Sequence, residues 1–306
     1  MTTPEATVVV PVRNAAGVVR EQLEALGNQT VLDRLEVIVV DDASTDTTAA
    51  VVERWIAAHP DAPFTLVRRS RRGGTNASRN DGLRRASARW MLLCDGDDVV
   101  TASWAERLLD ARRPDALLGG ACLLMGRDPE DRASWIGPEV HSFGWDYAMG
   151  GNLGVETAIA RSIDGFDERM FSGGTELDFA IRAQMAGAVV TPVADAVILY
   201  RFPDRPEGLF PKGIRRERGR VYLSRKMPTA IADRGLRQYL HLWVGMATSL
   251  VAVVRRRPRA AGDLALLAGR AIGWPMWALR FRLRMPTPRM LSAANDGADG
   301  SPSNPV

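Results

Sequence analysis

The amino-acid sequence predicts an α/β protein: a mainly parallel sheet flanked by helices, with a helical, basic extension towards its C-terminal end. Three observations carry this. Short apolar runs at 7–12, 35–42, 64–69 and 90–95 alternate with segments of helical spacing, the pattern of strand–helix–strand units. The runs read as buried on both faces, as strands of a covered parallel sheet are. Each ends abruptly in polar residues, and in such sheets a ligand lies beyond the carboxyl ends of the strands.

Taken in order, "TVVVPV" (7–12) is a β-branched run that stops at Arg13-Asn14. "GVVREQLEALGNQ" (17–29) has apolar residues at 18, 19, 23 and 26, a helical period. "LEVIVVDD" (35–42) is a second strand ending in Asp41-Asp42, after which Ser44, Thr45 and Asp46 offer N-cap oxygens to a helix reaching about residue 58. "FTLVRR" (64–69) is a third strand, and "GGTNASRNDGLRRASA" is a glycine turn running into a helix. "WMLLCD" (90–95) is a fourth strand, opening onto Asp95, Asp97 and Asp98.

Beyond 115 the pattern is less regular. "ALLGGACLLM" (116–125) reads as a strand with its glycines at a bulge, and 126–150 is loop-rich. "GGNLGVETAIARSIDGFDE" (150–168) reads as a strand and a short helix, "TELDFAIRAQMAG" (175–187) as an amphipathic helix with a glycine stop, and "VVTPVADAVILYRF" as a returning strand. From 208 to 285 the chain is mostly helical, with interruptions expected at Pro228, Pro258 and Pro275. The expected division is a catalytic domain over 1–205, a helical basic region over 206–288 and a disordered tail over 289–306.

Charge is unevenly distributed. Residues 200–290 hold 20 Lys and Arg against 5 Asp and Glu, a net of +15, whereas the remainder nets −11. The two cysteines, Cys94 and Cys122, sit inside apolar runs, as buried thiols of a reducing compartment do. The first residues carry an acid and no basic stretch ahead of the apolar run, which argues against a secretory signal. No GxGxxG follows the first strand, which disfavours a dinucleotide oxidoreductase.

The acids after the fourth strand admit two readings. They can be a solvated loop, with acids where a helix dipole favours them. They can also present oxygen ligands to Mg²⁺ or Mn²⁺ shared with substrate phosphates. The second gains weight because the second strand also ends in Asp-Asp.

Together, "VVVPVRNAAGVVREQLEALGNQT", "LEVIVVDDASTDTT", "GTNASRNDGLRRASARWMLLCDGDD", "GGNLGV", "GFDE" and "GGTELDFAIR" resemble the family 2 glycosyltransferases over roughly residues 5 to 225. The resemblance implies a GT-A (Rossmann-like) fold, a nucleoside-diphosphate sugar donor (UDP-, dTDP- or GDP-linked), a divalent metal and inversion at the anomeric carbon. It places Pro11, Arg13 and Asn14 in the nucleotide-binding loop and Asp42 at the base, where a carboxylate accepts from a pyrimidine N–H. It places Arg79 near the diphosphate, Asp95 at the ribose and the metal edge, and Asp97 on the metal. The general base falls at Glu176, with Asp178 in reserve; two residues apart on a helix, about 200° around the axis, they cannot both face one substrate. Each also has a plainer reading: Arg79 as a salt-bridged helix residue, Glu176 as a first-turn acid. Many relatives carry a histidine in the region of "AVILYRF"; this chain has only His59, His141 and His241, none of which fits.

Two rival functions follow from the same features. A nucleotidyltransferase-like enzyme would show a Gly-rich phosphate loop after the first strand, which "PVRNAAG" is not. A catalytically weak membrane-binding relative would lack Asp97 or the helix-start acid, and both are present. The expected acceptor is a glycan or lipid-linked sugar; no nucleic-acid partner is expected. "LHLWVGMATSLVAVV" (240–254), followed by Arg255-Arg256-Arg257, is short of the ~20 residues that span a bilayer. It reads either as a packing helix or, with Trp243, Trp274 and Trp277, as an interfacial element. The expected location is cytoplasmic and peripheral, on the inner face of the plasma membrane.

Overall fold

The computed structural model describes residues 3–170, 173–202, 206–231, 235–255 and 260–283. The strands and helices, in chain order, begin with β1 (Ala6–Val12), α1 (Val19–Gly27), β2 (Leu35–Asp41), α2 (Thr48–Ala58), β3 (Phe64–Arg68), α3 (Thr75–Arg85) and β4 (Trp90–Cys94). They continue with β5 (Val99–Val100), α4 (Trp104–Asp110), β6 (Ala116–Leu124), β7 (Trp135–Ile136), β8 (Val140–Ser142), β9 (Trp145–Tyr147), β10 (Asn152–Glu156) and α5 (Thr157–Ser162). Last come α6 (Thr175–Met185), β11 (Val189–Tyr200), α7 (Pro206–Lys226), α8 (Gly235–Val254) and α9 (Ala260–Leu283).

The main sheet runs β3-β2-β1-β4-β10-β6-β11-β5, with β7 along β6. Two parallel blocks, β3-β2-β1-β4 and β6-β11, are joined by an antiparallel β10. Helices cover both faces. Val8, Val10 and Val12 of β1 enter one core with Leu23, Val52 and Trp104, while Val9 enters the other with Leu83, Met91 and Phe179. This two-sided burial is why the strands read as continuous apolar runs.

The antiparallel β10 matters for the site. Its first residue, Asn152, pairs with Cys94, the last residue of β4. A strand running backwards starts where its neighbours end, so the Gly150-Gly151 turn arrives at the acids beyond β4.

Several expectations change in detail. The irregularity expected at the glycines of β6 lies on the partner strand: the β6–β11 register shifts between Val193 and Val197. Asp46 caps from outside α2, its Oδ1 accepting from the Thr48 N–H at 2.9 Å. Residues 126–150 contain β7 and the β8–β9 hairpin rather than loop alone. Pro275 lies inside α9, whose neighbouring Trp274 and Trp277 pack on a third core of Met170, Leu177, Ile181 and Tyr222. Packing there outweighs the lost helical hydrogen bond. Pro258 and the 289–306 tail lie outside the described residues.

The third core docks α7 on α6. The bulge on β11 is closed by Asn152, a fully buried amide. Its Nδ2 donates to the carbonyls of Ala121 and Ala196, both at 2.9 Å, and its Oδ1 accepts from the Trp104 indole at 2.8 Å. Asn152→Ala orphans one buried donor and two carbonyls. The expected loss is about 3 kcal/mol of unfolding free energy, read as a lower urea midpoint with an unchanged slope.

Candidate active site

The polar ends of β1, β2 and β4 surround a cleft of about 510 Å³ lined by Pro11, Arg13, Asn14, Asp42, Asp95 and Asp97. Arg72, Ser78 and Arg201 line it as well; Ser78 lies within the quoted "GTNASRN" stretch, whereas no motif marked Arg72 or Arg201 in the sequence. The first two strand ends are laced together. Arg13 Nη1 donates to the carbonyls of Asp42 and of Ala43, the latter at 2.6 Å. Asn14, at φ +47°, accepts from the Thr45 N–H at 2.8 Å and donates its own N–H to Ser44 Oγ at 3.0 Å.

Asp42 is 3% exposed and holds the turn that leads into α3. Its two oxygens accept from the Gly73 and Gly74 N–H groups at 2.7 and 2.8 Å, and Arg69 Nε lies 3.1 Å away. A carboxylate has about four acceptor sites, so capacity remains for a ligand in the cleft.

The acids after β4 differ in environment. Asp95 is half-buried; its Oδ1 accepts from Arg79 Nη2 at 3.1 Å, and its carbonyl accepts from Gln22 at 3.1 Å. Asp97 faces the cleft, and partial desolvation together with the Asp95 charge raises its carboxyl above the usual range. Asp98 is 1% exposed. Its Oδ1 accepts from the Arg201 N–H at 2.8 Å, while its buried Oδ2 has no partner. Burial first, then Asp95, push it up to about 8.

Three clustered carboxylates, with Asp97 and Asp98 raised and one oxygen of Asp98 orphaned, form a site short of positive charge. A divalent cation fits that deficit. Among the described residues no three His, Cys, Asp or Glu side chains form a metal cluster, so such an ion would take its remaining ligands from diphosphate and water.

Two cations sit at the edge where the resemblance expected a histidine. Arg201 Nε donates to the Asp97 carbonyl at 2.9 Å and its Nη2 to Glu21 at 2.9 Å. Lys212 Nζ stands 3.9 Å from the centre of the Phe202 ring. Burial, then Arg216 and Arg215, lower its ammonium to about 8.

Arg79 is 2% exposed and lies beneath the cleft. Its guanidinium reaches Asp95 on one side and Glu176 Oε1, at 3.7 Å, on the other, over the Phe166 ring. Gly150 and Gly151 make the room. A Cβ at Gly150 would lie 2.5 Å from Glu176 Cγ, and one at Gly151 would lie 2.8 Å from Asp95 Oδ2. Glu176 therefore joins the cleft acids through one shared cation.

Asp178 does not join them. It is fully buried, its Oδ2 accepting from Arg182 Nη2 at 2.7 Å and its Oδ1 from Lys226 Nζ at 2.6 Å. Lys226 also reaches Asp167 at 2.8 Å. The reserve base expected from the sequence is thus an internal ion-paired acid, on the side of α6 that faces α7.

The Asp98 shift gives a sign that can be checked. Its folded value, about 8, exceeds the ordinary 3.8, so the folded state binds the proton more tightly. Stability then falls as pH rises from about 4 through about 8. Asp98→Asn should flatten this slope and raise the metal-free Tm at pH 8; thermal melts from pH 5 to 9 measure it.

Comparison with known proteins agrees with this geometry. The profile described as Glycosyl transferase family 2 matches residues 7–121. Succinoglycan biosynthesis protein ExoO of Rhizobium meliloti is 37% identical over 114 residues, 37% of this chain and 30% of that protein. Glycosyltransferase AglE of Haloferax volcanii is 26% identical over 230 residues, 72% of this chain and 74% of that protein. The chain spans about a third of the length of the curated relatives it first matches. Among solved structures, the Pyrobaculum calidifontis mannosyltransferase PcManGT, in complex with GDP-Man and Mn²⁺, superposes with a TM-score of 0.60 at 24% identity, covering 89% of this chain and 88% of that one. By sequence profile and relatives, residues 7–121 belong to the family 2 glycosyltransferases, and the mainly parallel sheet with a polar cleft at the strand ends has the GT-A fold.

Proposed function

We propose that this protein is an inverting transferase that moves a sugar from a nucleoside-diphosphate donor to a hydroxyl of a glycan or lipid-linked acceptor. The observation that carries the reading is the Arg79 bridge: one guanidinium holds the donor-side Asp95 and the acid at the head of α6, Glu176, within ion-pair reach. The 510 Å³ cleft has the size and polarity of a nucleotide site.

In this reading Pro11, Arg13, Asn14 and Asp42 frame the nucleoside, and Asp95 meets the ribose. Arg201 and Lys212 face the diphosphate. Asp97, with Asp95 at its edge, would hold Mg²⁺ or Mn²⁺, which neutralises charge on the departing diphosphate. Glu176 takes the proton of the acceptor hydroxyl as its oxygen bonds to the anomeric carbon and the bond to the diphosphate breaks. Arg79 holds Glu176 in place. The manganese and GDP-mannose of the mannosyltransferase, and the succinoglycan biosynthesis in the name of ExoO, support the donor class and a role in glycan assembly.

A location follows from the C-terminal helices. Eight of the eleven exposed large hydrophobics among the described residues lie on α8 and α9: Trp243, Val244, Leu250, Val251, Val254, Ile272, Met276 and Leu279. On α8 they recur at helical spacing along one stripe that ends at the exposed Arg255. No helix of the described residues is long and apolar enough to cross a membrane. A stripe of this kind with basic flanks suits the surface of an anionic bilayer, on its inner face, where the helix lies in the interface.

Two measurements test these proposals. In calorimetry with nucleotide sugars and Mn²⁺, Asp97→Asn should lose the metal-dependent part of binding, whereas Glu176→Gln should bind donor normally and lose roughly 10²–10⁴-fold in transfer. Normal transfer by Glu176→Gln removes it as the base. In flotation assays, binding to phosphatidylglycerol vesicles should fall with salt and be absent on neutral vesicles, at about 1 kcal/mol per engaged Arg. Equal recovery in the unbound fraction under all conditions overturns the membrane proposal.

A further inference from the structure

A row of cations overlooks the ground between the donor cleft and Glu176. Lys212, Arg216 and Arg220 recur at i, i+4 and i+8, so they share one face of α7. Lys212 stands over Phe202 and Tyr200 at the end of β11, beside Arg201 and the donor cleft. Arg216 and Arg220 line a second cavity, of about 110 Å³, whose wall also contains Glu176 and Tyr147. That volume holds roughly four water molecules, the scale of one phosphate group.

The carboxylates around this cavity leave Arg216 unmatched. The acid on this part of α7, Glu217, is fully buried; it accepts from Arg270 Nε at 2.7 Å and lies 3.7 Å from Arg220. Arg216 is exposed and has no carboxylate within ion-pair distance among the described residues. It is nonetheless held in place: the Gly173-Gly174 turn that starts α6 packs on it, and a Cβ at Gly173 would lie 2.8 Å from Arg216 Cα. The same turn sets Glu176, so Arg216 and the base are positioned by one element.

We propose that this cavity binds a phosphate group of the acceptor, held by Arg216 with Arg220, and that the acceptor is therefore a phosphate-bearing molecule. Guanidinium groups match phosphate oxygens in geometry and charge, whereas a neutral sugar needs no such row. The site can serve a polyprenyl diphosphate or a polyol phosphate, which share this chemistry. The inference rests on the reading that Glu176 faces the acceptor.

The test uses the full chain saturated with UDP, so that the donor cleft is filled. One probe is a long-chain polyprenyl diphosphate in neutral phosphatidylcholine vesicles; the other is a soluble glycerol phosphate oligomer. Each is compared with its dephosphorylated counterpart. At least one phosphate probe should bind about tenfold or more tightly than its counterpart, and which one does so identifies the source. Arg216→Ala should abolish that preference and Arg216→Lys retain part of it. Arg113→Ala, at the opposite end of the sheet, should leave the preference unchanged, and UDP affinity should be unchanged in all three variants. Equal binding of phosphate and phosphate-free probes, or an unchanged preference in Arg216→Ala, overturns the proposal. UDP binding intact without phosphate preference sinks this inference alone, whereas an Arg216-dependent preference in a chain that binds no nucleotide sugar keeps the cavity and sinks the proposed donor chemistry.

Discussion

The site depends on one buried cation. Arg79 is almost wholly withdrawn from water, and a guanidinium in that position is tolerable only if carboxylates surround it. Asp95 and Glu176 supply them from two distant parts of the chain, and Phe166 supplies an aromatic face. The arrangement ties the end of β4 to the head of α6 and dictates what may lie between them. Only residues without side chains pass there, which accounts for Gly150 and Gly151 at the start of β10. Removing either acid would leave Arg79 undercompensated, so chemistry and stability are coupled at this point.

Sheet topology explains why these groups meet. Parallel strands bring their carboxyl ends to one edge, and β1, β2 and β4 deliver Arg13, Asp42 and the Asp95–Asp98 cluster there. The antiparallel β10 then runs from that edge back through the sheet, and β11 returns to it with Arg201. The result is an acidic floor with cations at its margin. Burial, and after it the neighbouring acids, raise the pKa of Asp97 and Asp98; burial, and after it Arg216 and Arg215, lower that of Lys212. The proposed metal–diphosphate would relieve both, with positive charge for the acids and negative charge for the cations.

The basic C-terminal region has two distinct faces in this structure. Part of α7 looks into the site through Lys212 and Arg216, and its Tyr222 and Lys226 are anchored on Asp167. The outer helices α8 and α9 keep a stripe of large apolar side chains exposed. The high net positive charge of residues 200–290 thus serves different surfaces, which a charge count cannot separate.

The sequence by itself determined the alternating strand–helix order, because two-sided burial leaves continuous apolar runs that are legible without any contact. It also determined the polar sets at the strand ends, since Arg13-Asn14, Asp41-Asp42 and the Asp95–Asp98 cluster follow those runs directly. The motif spacing placed Glu176 at a helix start. Tertiary structure decided the rest. Which of Glu176 and Asp178 stays accessible turned on Lys226, 48 residues beyond Asp178 and on α7, which ion-pairs with Asp178. Arg201 and Arg72 entered the cleft without a motif, because their places are set by the end of β11 and by a turn pinned on Asp42. The antiparallel sense of β10 and the bulge on β11 were likewise invisible, for both arise from pairing between segments far apart in the chain, which local periodicity does not encode.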